Sequence, residues 1–189
     1  METGTGYSVD LEPKVYRNYI GESERLHLKQ YADTLFESGH FYANHNYPKR
    51  WLLILKRAPQ SDHYGAYYTN EINNLYLRIL STLGIPHGCI DPRLGILISY
   101  IQPGGFIHKH RDIYTNPDWQ NKINYRFNIV VDRGTDVSYN PVIEDASYDI
   151  GKGDAWSFSA TTNLHYTLPI AGPENRIVYQ FGFAIPEEM

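Results

Sequence analysis

Three ionisable side chains stand at alternate positions, His108, His110 and Asp112, at the end of the stretch Ser99–Asp112, SYIQPGGFIHKHRD. On a strand, alternate residues share a face, so an imidazole and a carboxylate two positions apart can converge on one metal ion. All three do not easily share an ion, because a strand advances roughly 13 Å from 108 to 112 at about 3.3 Å per residue. The spacing leaves two candidate pairs, His108/His110 and His110/Asp112. A third ligand must come from elsewhere, and the only histidine after Asp112 is His165. Arg176 follows eleven residues later, at the head of the run Arg176–Phe183. A guanidinium there could grip a carboxylate through two parallel hydrogen bonds.

The elements that must position these residues are short strands. An apolar run (Leu94, Ile96, Leu97, Ile98) leads into the turn Gln102-Pro103-Gly104-Gly105, and Pro-Gly-Gly is a strong turn signal. Further strands are expected at Gly95–Ile101, Gly105–His110, Tyr125–Val131, Val137–Tyr139, Ser147–Ile150, Ala155–Ser159, Tyr166–Pro169 and Ile177–Ile185. Short strands at regular spacing, divided by turns, suit a sandwich or barrel, and the jelly roll is the common double-sheet solution. The first ninety residues read as support. Apolar residues recur at helical spacing over Ser23–Phe36, where Glu22-Ser23 could cap and Gly39 stops the helix, and over Asn70–Leu83, with Gly84 as the stop. Trp51–Leu55 is a short apolar strand, and Asp10–Tyr19 contributes an edge strand. The expected whole is one domain over 1–189, mainly β with supporting helices. Residues 1–90 would support a double-stranded β-helix (jelly-roll) catalytic core over 91–189.

Composition narrows the function classes. The chain has 189 residues, 42% hydrophobic and 20% charged, which suits a globular protein of ordinary domain size. The net charge of −4 and the lack of a Lys/Arg cluster argue against a nucleic-acid partner. No apolar run approaches the ~20 residues of a membrane span. The opening METGTGYSVDLEPK lacks the basic start and apolar core of a secretory signal. One cysteine, Cys89, excludes an internal disulfide and fits a reducing, cytoplasmic compartment; Cys89 itself reads as a small packing residue. His27, His40, His45, His63 and His87 lack ligand spacing and read as surface or packing residues. The loop Gln60–Tyr68 carries aromatics that could reach a pocket.

Two histidines and one carboxylate on one side of a metal leave open coordination positions, the arrangement of non-haem iron(II) oxygenases. In order, His110-x-Asp112, His165 and Arg176 resemble the iron(II)/2-oxoglutarate-dependent dioxygenase superfamily, over Leu94–Pro186. Finer features resemble its prolyl hydroxylase and aspartyl/asparaginyl hydroxylase branches: Tyr100-x-x-Pro-Gly-Gly-x-Ile, Tyr125-Arg126-Phe127-Asn128, and Gly153-Asp154-Ala155-Trp156-Ser157-Phe158 before the distal His165. Asn128 departs from the second branch, which often has histidine there.

The resemblance implies that His110, Asp112 and His165 bind Fe(II) and that 2-oxoglutarate and O2 are cosubstrates. Arg176 would pair with the far carboxylate of 2-oxoglutarate, helped by Tyr100, with Arg126 and Asn128 beside it. The implied reaction converts 2-oxoglutarate to succinate while hydroxylating an unactivated C–H bond. Asp112 favours hydroxylation, because related halogenases have a small residue in its place. A small-molecule substrate is expected, a free amino acid or related metabolite, with a residue in a protein or peptide as the alternative. Trp156 reads as a core residue.

The loop Ile113–Asn124 follows Asp112 directly and is long for a strand connection, so it reads as a lid. Tyr114 and Trp119 on it, and His108 beside the ligands, are candidate substrate contacts. Two other readings stand beside this one. A cupin-type site would use His108-x-His110, but Tyr114 and Thr115 stand where it usually has a glutamate. A non-enzymatic metal-binding jelly roll would not need both Asp112 and Arg176. Oligomeric state is not legible in the sequence.

Overall fold

The longest apolar runs become the central strands, because only a strand covered on both faces can bury every side chain it carries. The structure, a computed structural model, describes residues 9–57 and 65–187. The N-terminal stretch before residue 9, His63 and most of the loop 60–68 lie outside the described residues. In chain order the elements are β1 (Lys14–Tyr16), α1 (Glu22–Glu37), β2 (Tyr42–Ala43), β3 (Arg50–Lys56), α2 (Asn70–Leu83), β4 (Ile96–Ile101), β5 (Lys122–Asp132), β6 (Pro141–Ile143), β7 (Ala146–Ser147), β8 (Ala155–Ser159), β9 (His165–Thr167) and β10 (Arg176–Pro186). Seven strands form one antiparallel sheet in the order β1-β8-β5-β10-β4-β3-β2, and β7-β6-β9 form a smaller one. The protein is mainly β, two antiparallel sheets facing each other in a jelly roll, with both helices on the outer face of the large sheet.

The large sheet divides two cores. On its outer face Leu28, Ala32 and Leu35 of α1 and Ile72, Leu75, Ile79 and Leu80 of α2 pack on Ile98, Tyr100, Phe127, Tyr179, Phe181 and Phe183. On its inner face smaller groups, including Val130, Trp156, Phe158 and Val178, meet Ile143 of the second sheet. Helix α2 starts and stops as its sequence dictates: Thr69 Oγ1 accepts from the Ile72 amide, and Gly84 closes it at φ +66°. Helix α1 starts without a side-chain cap; the Glu22 carboxylate is held instead by Arg25 at 2.8 Å. Among the described residues no helix is long and apolar enough to cross a membrane.

Four expected strands come out differently. Residues 105–110 are irregular and form no ladder, only single links such as the His110↔His165 bridge. The Gly104-Gly105 turn at their start, with Gly104 at φ +79°, breaks the pleat. Val137–Tyr139 is a 3-10 turn, because Asp136 accepts a hydrogen bond from the Ser138 amide and starts a helical twist; pairing begins at β6 instead. In Ser147–Ile150 only the first residue is in a strand, β7. The edge strand expected over Asp10–Tyr19 reduces to β1, paired with β8.

Gly95 enters β4 at φ +60°, where a Cβ would run into the Lys56 backbone carbonyl. Gly39 ends α1 at φ +75° with nothing near its missing Cβ. Gly39→Ala is expected to cost only left-handed strain, about 1 kcal/mol at the low end of the range for such positions. Gly95→Ala is expected to cost several times more in urea unfolding, because the backbone must also move.

Candidate metal centre and its pocket

The chain after Gly105 runs back along β9, and the His110 and His165 amides exchange hydrogen bonds with each other's carbonyls at 3.1 and 2.9 Å. Two residues further, the Asp112 amide bonds the Ala160 carbonyl at 2.8 Å. These links put one ligand atom each of His110, Asp112 and His165 within 4.8 Å of one another. Of the two pairs the spacing allowed, the structure brings together His110 and Asp112. His108 is exposed, its ring against Phe106 and Tyr47.

Both imidazoles are oriented by their own backbone. His110 Nδ1 lies 2.7 Å from the His108 carbonyl, and His165 Nδ1 lies 3.0 Å from the Asn163 carbonyl. A carbonyl only accepts, so each neutral ring carries its proton on Nδ1 and leaves Nε2 free to ligate. The residues therefore fit a divalent ion held by two nitrogens and one carboxylate oxygen.

Asp112 sits in a chain of charges. Arg93 reaches one oxygen at 2.7 Å and Arg126 the other at 3.3 Å. Arg126, buried on β5, also bonds the fully buried Asp91 at 2.9 Å. Burial alone would push the Asp112 carboxyl up, but His110, Arg126 and Arg93 outweigh it and hold it well below the usual range. The Tyr114 hydroxyl and the Asn124 amide complete the shell of Asp91, at 3.1 and 3.4 Å.

A cavity of about 370 Å³ opens beside His110, Asp112 and His165, between the sheets. Arg176 lines it, fully buried, with its Nε bonded to the Tyr139 carbonyl at 2.9 Å and its guanidinium 5.4 Å from the Trp156 ring. Among the described residues, one terminal nitrogen of Arg176 and the Trp156 indole nitrogen have no hydrogen-bond partner. Two orphaned buried donors on a cavity wall fit an acceptor-rich ligand such as a carboxylate. Asn128 also lines the cavity, its oxygen accepting from Gln180 at 3.1 Å.

Besides His108, three candidates, Tyr100, Tyr114 and Trp119, fall elsewhere, and a fourth, Arg126, is taken up by other partners. Tyr100 points to the outer face of β4, stacked on Phe36 at 4.1 Å with its hydroxyl on Asp33. Its neighbours Ser99 and Ile101 take the inner face, so strand alternation turns Tyr100 away from the cavity. Arg126 is on the cavity wall, but its guanidinium is committed to Asp91 and Asp112. Tyr114 is buried against Asp91, and Trp119 lies on the Pro117–Trp119 turn with its ring 6.0 Å from Tyr114. Neither lines the cavity. Two residues the sequence reading passed over belong to the site. Asp91 gave no signal, since its contact with Arg126 is long-range. Arg50 did: a cation directly abutting the apolar run WLLIL, with Lys49 before it, is carried by the strand and has to face something polar.

No family model and no curated protein matches the sequence. Solved structures do match the fold. A Pseudomonas putida prolyl-4-hydroxylase superposes with a TM-score of 0.62 at 12% identity, over 93% of this chain and 92% of that one. A Trichoplax adhaerens prolyl hydroxylase, in complex with a peptide fragment of the hypoxia inducible factor oxygen degradation domain, gives 0.63 at 14%, over 94% and 84%. HygX from Streptomyces hygroscopicus, with nickel, 2-oxoglutarate and hygromycin B bound, gives 0.62 at 10%, over 92% and 82%. The chain has the jelly-roll fold of these 2-oxoglutarate oxygenases.

In the metal-free protein burial holds His165 down to about 4 from its ordinary 6.5, against the opposing pull of Asp112. Between those values the unfolded chain takes up a proton that the folded chain does not, so stability rises with pH. The metal-free protein is expected to lose stability as pH falls from about 6.5 to about 4. Asp112 contributes little in this window, since its folded-state value lies below 3.8. Urea midpoints across the window should fall for the wild type and flatten for His165→Gln; parallel curves would contradict the burial of a neutral His165.

Proposed function

We propose that this protein is an iron(II)- and 2-oxoglutarate-dependent oxygenase that hydroxylates an unactivated C–H bond of a small molecule, a free amino acid or related metabolite. The observation that carries the reading is the convergence of His110, Asp112 and His165 within 4.8 Å on the wall of a cavity that also holds a buried arginine. Bound there, iron with 2-oxoglutarate and O2 would supply the oxidation, one oxygen atom going to succinate as CO2 leaves and the other to the alcohol. The chain supplies the rest. His110 and His165 offer their Nε2 lone pairs, fixed by the His108 and Asn163 carbonyls. Arg93 and Arg126 keep Asp112 ionised and aimed. Arg176 holds the far carboxylate of 2-oxoglutarate with its free donor, and the sheets on either side keep water out.

The cupin reading needs His108 as a ligand, and its exposed ring sits against Phe106 and Tyr47 instead. A protein residue as substrate is the second reading. It is favoured by the peptide held by the Trichoplax adhaerens relative in fold; the small cavity favours the small molecule.

The test is succinate release from 2-oxoglutarate with Fe(II) in air, screened against free amino acids and short peptides. His165→Ala and Asp112→Ala are expected to abolish it. Arg176→Lys keeps the charge but loses the planar fork, and is expected to raise the 2-oxoglutarate requirement by about tenfold or more with iron binding little changed. Unchanged 2-oxoglutarate dependence in that variant would remove Arg176 from the site, and no iron-dependent succinate with any substrate would contradict the function.

A further inference from the structure

We infer that Arg50 is a substrate-anchoring residue that grips a carboxylate of the substrate, so that the substrate class is a small carboxylic acid. This rests on the proposed function in one respect: it leaves Arg176 to the 2-oxoglutarate.

The register separates the two arginines. Both stand directly opposite Ile101, Arg176 on β10 and Arg50 on β3, one on each side of β4. Opposed residues in an antiparallel sheet share a face, so both side chains enter the cavity. Their backbones are two strand spacings apart, roughly 10 Å. Arg50 is buried. Its Nε bonds Ser99 Oγ at 3.1 Å and a terminal nitrogen bonds Gln180 Oε1 at 3.2 Å. Both partners are neutral, and among the described residues no carboxylate pairs with Arg50 or Arg176.

Of these two arginines without a carboxylate, Arg50 is the one on the side of the proposed metal ligands. The Tyr47 ring lies 5.1 Å from its guanidinium and 5.7 Å from the His110 ring, and so bridges the two. Asp112 acts electrostatically on Arg50, whereas Arg176 feels chiefly the cations Arg133 and Arg50. Burial lowers Arg50 to about 10 and Arg176 to about 9, a cost an anion at each would relieve. A ligand held by Arg50 would lie against Tyr47, one ring from the metal. Asn44 and Asn46, on the same chain segment, line that side of the cavity and offer further hydrogen bonds.

The charges around the cavity ask for two anions. Asp91 and Asp112 are matched by Arg126 and Arg93. That leaves Arg50, Arg176 and a divalent ion. One dicarboxylate on the ion and Arg176 offsets two of these four positive charges, and Arg50, with no carboxylate beside it among the described residues, stays a buried unpaired cation, a costly state. A second carboxylate beside it removes that cost, and an amide does not.

The experiment uses the full chain loaded with Mn(II) and 2-oxoglutarate, without oxygen. First, calorimetry measures 2-oxoglutarate binding to the wild type, Arg176→Gln and Arg50→Gln. Then each protein is titrated with a panel of L-amino acids and with the matching carboxamides. For the wild type, at least one acid is expected to bind about tenfold or more tighter than its amide, the size of a charge-assisted pair. In Arg50→Gln that preference is expected to vanish, while 2-oxoglutarate affinity stays within about threefold. No preference for acids over amides in the wild type, including no binding by either, overturns the inference, and needs no variant to fold. Loss of 2-oxoglutarate binding in Arg50→Gln but not in Arg176→Gln overturns it too, by making Arg50 the cosubstrate arginine. A wild type that takes no 2-oxoglutarate overturns the function itself and, with it, the division between the two arginines.

Discussion

The guanidinium of Arg126, buried between Asp91 and Asp112, is the interaction on which the site depends. It ties β5 to the segment before β4 and to the end of the ligand loop. Breaking such a pair strands a buried charge, at about 3–5 kcal/mol, so the carboxylate of Asp112 has one place to be. The fold makes room for it. Gly182 of β10 pairs with Arg126, and a Cβ there would meet the Arg126 guanidinium and lie 2.9 Å from Asp91 Cβ. The Asp91 amide bonds the Gly182 carbonyl at 2.8 Å, which docks the segment onto the sheet. The same cluster explains why Tyr114 is buried: its hydroxyl completes the shell of Asp91.

Around this fixed carboxylate the two sheets divide the work. The small sheet and the returning chain supply His110 and His165 through one bridge. The large sheet supplies Arg50 and Arg176, each at the start of a strand and each facing inward by alternation. The helices pack on the outer face of the large sheet, away from the cavity. The first half of the chain contributes more than cover, because β3 carries Arg50 into the cavity.

What the sequence revealed follows from signal length. Both helices and the strands β3, β4, β5, β8 and β10 are long enough to carry a period or a sustained apolar run. Strands β6 and β7 have three and two residues, too few for any pattern. The cluster of His110, Asp112 and His165 was legible because these residues are chemically distinctive and ordered in the chain. The error at Tyr100 has a specific cause. A strand buried on both faces shows no polar alternation to reveal which face is which, so Ile96–Ile101 gives no parity, and Tyr100 falls on the helix side. Asp91 was invisible because its partner lies thirty-five residues away, on another strand. Arg50 was visible as a misplaced charge before an apolar run, but its destination depends on the pairing of β3 with β4.

The most direct measurement is an anomalous-diffraction map from a crystal soaked with Mn(II) and 2-oxoglutarate in the absence of oxygen. The account predicts one metal peak, bonded by His110 Nε2, an Asp112 oxygen and His165 Nε2 at about 2.0–2.3 Å, with the far carboxylate of the dicarboxylate on Arg176. A metal held by His108 with Asp112 turned away, or a dicarboxylate bound elsewhere than between the metal and Arg176, would contradict it.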